Sequence, residues 1–266
     1  MSAFDLAARV ALLDELTAIG VRAAVAIHEQ AATAAVRRKA DGSPVTAADE
    51  AAEAAIRDGL VRLAPDLPII SEEHAEREKP SIPRGANARY FLVDPLDGTR
   101  EFIAGRDEYT INIALIGAGV PQLGIIIAPA LKLAWRGIVG RGAERIALGN
   151  DNARPIPIRT RPRPPRGLVI VVSRSHLEPR TRAYVASLPQ AELVPSGSAI
   201  KFCRVAEGSA DLYPRLAPTH DWDVAAGHAI VKAAGGDVTA PDGSALIYGT
   251  DALLIPAFIA TGSVTA

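Results

Sequence analysis

The residues best suited to chemistry lie in Leu92-Val93-Asp94-Pro95-Leu96-Asp97-Gly98-Thr99. An apolar run delivers Asp94, and Pro95 ends the strand because it has no N–H to give a ladder. Asp97 returns three residues later, ahead of a glycine and a hydroxyl residue. Two carboxylates on a proline-fixed turn can face one point, and converging hard oxygen ligands suit Mg²⁺, which keeps several waters and takes few carboxylates. Gly98 lets the backbone approach a ligand closely, and the amides of Gly98 and Thr99 can donate to phosphate oxygens as in other anion-binding nests. An Asp-Gly pair is also an ordinary turn, so this segment alone leaves both readings open.

Three further acidic segments have the same double character. In Ile70-Ser71-Glu72-Glu73 an apolar strand ends in two like charges, which repel unless a cation or solvent intervenes. The plain alternative is a solvated strand end leading into the charged run His74 to Lys79. Asp221-Trp222-Asp223 opens a helix whose next turn is all small residues. Asp221 is the expected N-cap there, leaving Asp223 to point outward. In Pro44-Val45-Thr46-Ala47-Ala48-Asp49, Thr46 and Asp49 match a capping box, which needs no function.

The elements that must position these groups follow from periodicity. Phe4 to Gln30 predicts an amphipathic helix with a break at Gly20, and Thr46 to Leu63 a second helix burying Ala52, Ile56, Leu60 and Leu63. Short strands are expected at 69–70, 90–93, 110–116 and 122–128; the 110–116 strand carries a polar face that must meet something. Residues 154–167 are dense in Pro and Arg and predict an extended linker, with a lobe boundary between 153 and 154. Beyond it, strands at 168–172 and 210–213 alternate with helices at 180–188, 199–207 and 222–234, the last ended by Gly235-Gly236. The expected class is α/β: an α+β N-terminal lobe with an antiparallel sheet, then an α/β C-terminal lobe.

With 266 residues there is ample chain for a sizeable core, and a formal net charge of −1 gives no global field to recruit a nucleic acid polymer or an anionic membrane. The single cysteine, Cys203, excludes an internal disulfide and any multi-cysteine zinc site, and fits a reducing compartment. No secretory signal pattern opens the chain. The most apolar stretch, Leu123 to Trp135, is broken by Pro129 and Lys132, so no integral membrane segment is expected and the protein is read as cytoplasmic, a reading that leaves peripheral membrane association open.

Taken together and in order, the segments resemble the inositol monophosphatase superfamily of Mg²⁺-dependent phosphatases. Asp-Pro-Leu-Asp-Gly-Thr, Trp-Asp-Val-Ala-Ala-Gly and the upstream Glu-Glu carry that likeness. Within it, Asp41 to Asp49, Asp97 to Phe102, Ser-Arg-Ser-His (Ser173 to His176), Gly197 to Cys203 and Ala206 to Arg215 look most like the CysQ-type 3′(2′),5′-bisphosphate nucleotidase branch. The resemblance implies the layered αβαβα architecture of the sugar phosphatases and two or three Mg²⁺ per subunit. Glu72, Asp94 and the Leu96 carbonyl would hold one ion, and Asp94, Asp97 and Asp223 a second. Glu73 would support these ligands or hold a third, weaker ion. Asp49 and Thr99 would orient and deprotonate the attacking water, with the capping-box reading of Asp49 still standing beside that role. His176, Lys201 and Arg215, with Ser198 as hydroxyl donor, would clamp a second phosphate, so the substrate contacts run through Glu72, Leu96, Asp97, Gly98, Thr99, His176, Ser198, Lys201, Arg215 and Asp223. The implied reaction is hydrolysis of adenosine 3′,5′-bisphosphate to AMP and phosphate, a small-molecule conversion of sulfur metabolism. An inositol or sugar monophosphatase on the same fold, and a non-catalytic phosphate-binding protein, are the rival readings. His220 and Asp221 add a titratable pair beside the expected metal site that the family pattern does not supply.

Overall fold

Apolar residues at helical spacing from Phe4 onward produce one uninterrupted helix, α1 (Ala3–Gln30). The structure, a computed structural model, describes residues 3–30, 36–39, 42, 44–150, 152–175 and 177–263, with side chains from residue 8. The expected break at Gly20 does not occur. A Cβ at Gly20 would lie 2.4 Å from the Ile127 Cδ1 atom, so glycine is there to let the helix approach the sheet beneath it.

A two-residue hairpin, β1 (Arg37–Arg38) and β2 (Pro44–Val45), leads to α2 (Ala47–Leu63), which buries Ala52, Ile56 and Leu60 as its periodicity predicts but leaves Leu63 half-buried. Then come β3 (Ile69–Ser71), a short α3 (Glu72–Arg77), β4 (Arg89–Asp97) and α4 (Thr99–Ile103). The antiparallel run β5 (Thr110–Gly117), β6 (Val120–Ala128), β7 (Leu133–Ile138), β8 (Gly142–Ala147) and β9 (Ile156–Ile158) follows. These strands form a seven-stranded sheet in the order β3-β4-β5-β6-β7-β8-β9, antiparallel except for the β3–β4 pair. The apolar stretch from Leu123 to Trp135 is thus the β6–β7 hairpin, turned at Lys132.

The second sheet holds β10 (Val169–Ser173), β11 (Glu192–Ser196) and β12 (Leu212–Arg215), which run parallel, with α5 (Pro179–Ala186) and α6 (Ile200–Ala206) between them in sequence. A small pair, β13 (Thr219–His220) and β15 (Leu254–Ile255), flanks α7 (Asp221–Ala233), while β14 (Asp237–Thr239) and β16 (Phe258–Thr261) complete the second sheet in the order β11-β10-β12-β16-β14. The Pro/Arg-rich segment is not wholly an extended linker: it supplies β9 to the first sheet, and beyond β9 Arg161 ties it to the second, meeting the fully buried Asp211 through two hydrogen bonds of 2.6 and 2.7 Å.

Strand alternation decides the layers. On β5, Ile111, Ile113 and Leu115 point to α1 and α2, while Ala114 and Ile116 point to the other face, where α6, α7 and the second sheet close over them. Leu168, Ile170, Val172 and Leu212 pack with Val185 of α5 on the far side. The order is therefore α1/α2, seven-stranded sheet, α6/α7, five-stranded sheet, α5: the αβαβα stack. Each fully buried Ile or Leu contributes about 1.5–3 kcal/mol relative to exposure. Among the described residues no helix is long and apolar enough to cross a membrane.

Candidate active site

Asp94 continues the face of β4 that carries Tyr90 and Leu92, the face turned toward α7. Residues three apart on a regular strand point to opposite sides. Here the pairing shifts between Asp94, opposite Asn112, and Asp97, opposite Thr110, so three steps on β4 meet two on β5. Pro95 therefore does not end the strand as expected: β4 continues to Asp97, and the missing N–H is taken up by a bulge that returns Asp97 to the side of Asp94. Gly98 follows with φ of 90°; a Cβ there would come within 3.3 Å of the Ser198 Cβ, so glycine lets the two segments meet.

Glu72 reaches the same place because β3 is parallel to β4, with Ser71 opposite Val93, and Glu72 opens α3 directly afterward. Much of the charged run after Glu73 is helix α3, and carboxylates in a first helical turn are favoured by the dipole. Asp223 arrives on α7, which lies so close to the first sheet that a Cβ on Gly124 would sit 2.4 Å from the Ala226 carbonyl oxygen. The N-cap of α7 is His220, not Asp221. Asp223 therefore does not simply point outward: its Oδ2 accepts the His220 amide at 3.1 Å and the Thr219 hydroxyl. Asp221 is fully buried and accepts the Gly249 amide at 2.7 Å, while His220 is exposed and stacks on Trp222.

Burial raises Asp94 well above the usual carboxylate range, and Glu72, Asp97 and Asp223 add to the rise. Burial likewise raises Asp97, with Asp223 reinforcing it and Lys201 opposing, and raises Glu72, with Lys39 opposing and Asp223 reinforcing. Four acids stand within electrostatic reach of one another. Lys39 answers part of that charge, its ammonium 2.6 Å from Glu72, 2.8 Å from Glu73 and 3.0 Å from Glu76. Among the described residues no three His, Cys, Asp or Glu side chains already form a ligating group. The acids are instead held by neighbours, Glu72 by Lys39, Asp94 by the Leu96 amide at 3.1 Å, and Asp97 by the Ala199 amide and the Asn112 side chain.

Asp49 is 2 % exposed and serves two partners. Its Oδ2 accepts from the Thr46 amide and hydroxyl, both at 2.7 Å, closing the capping box, and its Oδ1 accepts the Thr99 hydroxyl at 2.9 Å. The Leu96 carbonyl oxygen is 3.2 Å from that hydroxyl.

Glu72, Asp97, Gly98, Thr99, Ser198, Lys201, Arg215 and Asp223 line one cleft of about 360 Å³. Asp94, Leu96 and Asp49 stand behind its wall, each at most 2 % exposed. Lys201 is only 3 % exposed. Its ammonium donates to the Ser198 carbonyl at 2.5 Å and lies 5.2 Å from the centre of the Tyr213 ring. Burial pulls its pKa down to about 8, with Asp97 opposing and Arg215 assisting. The Arg215 Nε is buried and has no partner among the described residues. Phe202, Tyr213 and Phe258 pack ring against ring, 4.9–5.2 Å apart, as an apolar part of the lining. His176 lies outside the described residues.

The site also contains residues that the motifs do not reveal. Thr110 and Asn112 are the polar face of β5, both buried: the Asn112 amide donates to Asp97 at 3.5 Å, and the Thr110 hydroxyl is 3.0 Å from the Asn112 Oδ1 and 3.2 Å from the Ser198 Oγ. Two polar residues at alternate positions of an Ile-rich strand are the signal that finds them. Lys39 has no such signal.

The residue pattern of the inositol monophosphatase family matches residues 9–265. The chain belongs to the inositol monophosphatase family. Its relatives in that family include proteins named 3′(2′),5′-bisphosphate nucleotidase CysQ. The one from Escherichia coli O157:H7 is 42% identical over 240 residues, 89% of this chain and 94% of that protein. The one from Salmonella typhimurium is 45% identical over 211 residues, covering 79% and 82%. The crystal structure of CysQ from Bacteroides thetaiotaomicron superposes with a TM-score of 0.78 at 34% identity, covering 96% of this chain and 98% of that one. An inositol monophosphatase structure from Anabaena gives a TM-score of 0.74 at 27% identity, covering 96% and 91%.

Proposed function

We propose that this family member is a Mg²⁺-dependent 3′(2′),5′-bisphosphate nucleotidase that converts adenosine 3′,5′-bisphosphate and water to AMP and phosphate. The observation that supports this reading is a single cleft lined both by the carboxylates Glu72, Asp97 and Asp223 and by the basic side chains Lys201 and Arg215. A substrate with two phosphates needs one group held at the reacting centre and one gripped without being cleaved. The relatives named bisphosphate nucleotidase, at 42% and 45% identity, support the same choice.

The donor set fits a hard cation. It is all oxygen and largely buried, and the acids raise one another's proton affinity in a way that divalent charge removes. Glu72, Asp94 and the Leu96 carbonyl would hold one Mg²⁺, Asp94, Asp97 and Asp223 a second, with Glu73 beside Glu72 as support or as ligand to a third. Bound Mg²⁺ supplies positive charge for the phosphate and acidifies water. The protein does the rest. The Asp49 Oδ1 accepts the Thr99 proton and thereby turns an oxygen lone pair of Thr99 toward the cleft, where it can accept a proton of the attacking water. Lys201 and Arg215 bind the phosphate that stays, with Ser198 donating, and the outgoing 3′-oxygen leaves as the ribose hydroxyl. His176 would join that clamp. Catalysis would take place in the cytoplasm.

An inositol monophosphate is the second reading, favoured by the Anabaena structure. Turnover of adenosine 3′,5′-bisphosphate, its sulfated analogue and inositol 1-phosphate, with Mg²⁺ and with EDTA, separates the two. Mg²⁺-dependent preference for the bisphosphate is expected; preference for the inositol ester overturns the assignment, and no phosphate release from any of them favours a non-catalytic phosphate binder.

A further inference from the structure

The turn that carries Ser198 is strained, and it is held from the opposite sheet. Ser198 has φ of 41°, a left-handed conformation that a side-chain-bearing residue keeps only where its surroundings impose it. Glu108, in the segment between α4 and β5, holds the residue before it. The Oε2 of Glu108 accepts the Gly197 amide at 3.0 Å and the Arg174 Nε at 2.8 Å, and its Oε1 accepts the Arg174 Nη2 at 3.0 Å. Arg174 also donates to the Pro195 carbonyl at 3.0 Å, so the guanidinium ties Glu108 to the entry of the same turn. Gly197 has no room for a side chain, since a Cβ would stand 2.7 Å from the Glu108 carbonyl oxygen. On the exit side, the Ser198 carbonyl takes the Lys201 ammonium at 2.5 Å.

A continuous set of bonds thus runs from Glu108 through Gly197 and Ser198 to Lys201, and Glu108 itself comes from the chain that follows the Asp97–Thr99 turn. We infer that Glu108 is a positioning residue for the second phosphate: it fixes the Gly197–Ser198 turn, and with it the Lys201 ammonium, in the cleft that Glu72, Asp97 and Asp223 also line. Glu108 touches no reacting atom, and its partner Arg174 is exposed, so the pair contributes little to overall stability. Its effect is on which ester is preferred. The inference rests on the bisphosphate reading above.

The test uses the full chain carrying Glu108→Gln, which keeps the shape and removes the charge. One charge-assisted bond lost from the turn is expected to raise KM for adenosine 3′,5′-bisphosphate about tenfold while kcat/KM for p-nitrophenyl phosphate changes less than about twofold. Calorimetric titration of adenosine 3′,5′-bisphosphate in EDTA reads the same turn without catalysis and should weaken by the same factor. Glu108→Asp, which cannot reach Arg174 and Gly197 together, is the second variant and should shift in the same direction. Equal losses on both esters, or no loss on either, overturn the role of Glu108 while leaving the activity assignment standing. Wild-type protein that turns over the monoester and not the bisphosphate overturns the activity assignment, and this inference with it.

Discussion

The Thr99 hydroxyl donates to the Asp49 carboxylate at 2.9 Å while the other oxygen of that carboxylate closes the Thr46 capping box at 2.7 Å. The structural and the chemical readings of Asp49 are therefore one arrangement. The cap fixes the carboxylate on the first turn of α2, and the fixed carboxylate sets the direction of the Thr99 hydroxyl. In the proposed mechanism, a group locked by its own helix terminus would lose no side-chain freedom when the attacking water arrives.

Separating the two roles gives the first prediction. Thr99→Ala should lower kcat about 100-fold or more, with KM and melting temperature nearly unchanged, because only the proton-orienting partner is lost. Asp49→Asn should lower kcat similarly and also cost about 1 kcal/mol of stability, a drop of about 2–4 °C for a chain of this size. Steady-state kinetics and thermal melts on the two variants check this. A Thr99→Ala enzyme with wild-type kcat would remove Thr99 from the mechanism.

If the raised acids hold the cation as proposed, its binding is coupled to protons. Burial and mutual repulsion lift Asp94, Asp97 and Glu72 above the ordinary carboxylate range, so part of the cluster is protonated at mildly acid pH, and a cation must displace those protons. A group whose folded pKa is raised holds protons that are lost as pH rises through that pKa. Mg²⁺ titration should accordingly release more protons at pH 6 than at pH 8 and be tighter at pH 8, read by calorimetry in buffers of different ionisation enthalpy. Asp94→Asn should raise the melting temperature in EDTA, abolish the Mg²⁺-induced shift and remove nearly all turnover. Wild-type turnover in that variant would remove Asp94 from the metal site.

How much of this was legible depends on where each signal sits. The Asp94–Asp97 pair is readable because proline, glycine and two acids occur within a few residues, and the two helical periodicities at Ala3–Gln30 and Ala47–Leu63 are long enough to be unambiguous. Gly20 misleads because a break and a close approach look the same in sequence, and only Ile127, more than a hundred residues away, tells them apart. The α7 cap misleads because Asp is a good N-cap, yet Asp221 is drawn inward by the Gly249 amide and His220 takes the cap position. Lys39 is invisible because its acidic partners lie on α3, with the whole of α2 and β3 between them and its own hairpin in sequence.

Close packing behind the acids supplies a stability prediction with a functional echo. Gly124 faces the Ala226 carbonyl oxygen, where a Cβ would come within 2.4 Å, and the contact is backbone, which cannot rotate away. Gly124→Ala should push α7 off β6 at a cost of about 1–3 kcal/mol. Because α7 carries Asp223, Mg²⁺ affinity should fall too, more than for a mutation of equal destabilisation on α5. Thermal melts with and without Mg²⁺ measure both effects. Unchanged stability would mean that the helix has room to move.

Lys201 gives the last prediction, a pH dependence that separates substrates. Burial depresses its pKa from 10.5 to about 8, with Arg215 adding to the fall and Asp97 resisting it. The ammonium that would bind the second phosphate is thus present below pH 8 and is lost as pH rises through that value, whereas an ordinary lysine would stay charged for more than two further units. KM for adenosine 3′,5′-bisphosphate should therefore climb by about tenfold per pH unit above 8, while kcat changes little, since bound phosphate re-protonates the lysine in the complex. A monophosphate ester leaves the lysine unused and should show no such alkaline limb in KM. Lys201→Gln should start from a high KM for the bisphosphate and lose the limb, and Lys201→Ala should lose far more on the bisphosphate than on the monophosphate. The decisive measurement is KM against pH for both esters in both proteins. An alkaline rise that is the same for the two esters, or that survives in Lys201→Gln, would assign the titration to another group and take Lys201 out of the clamp.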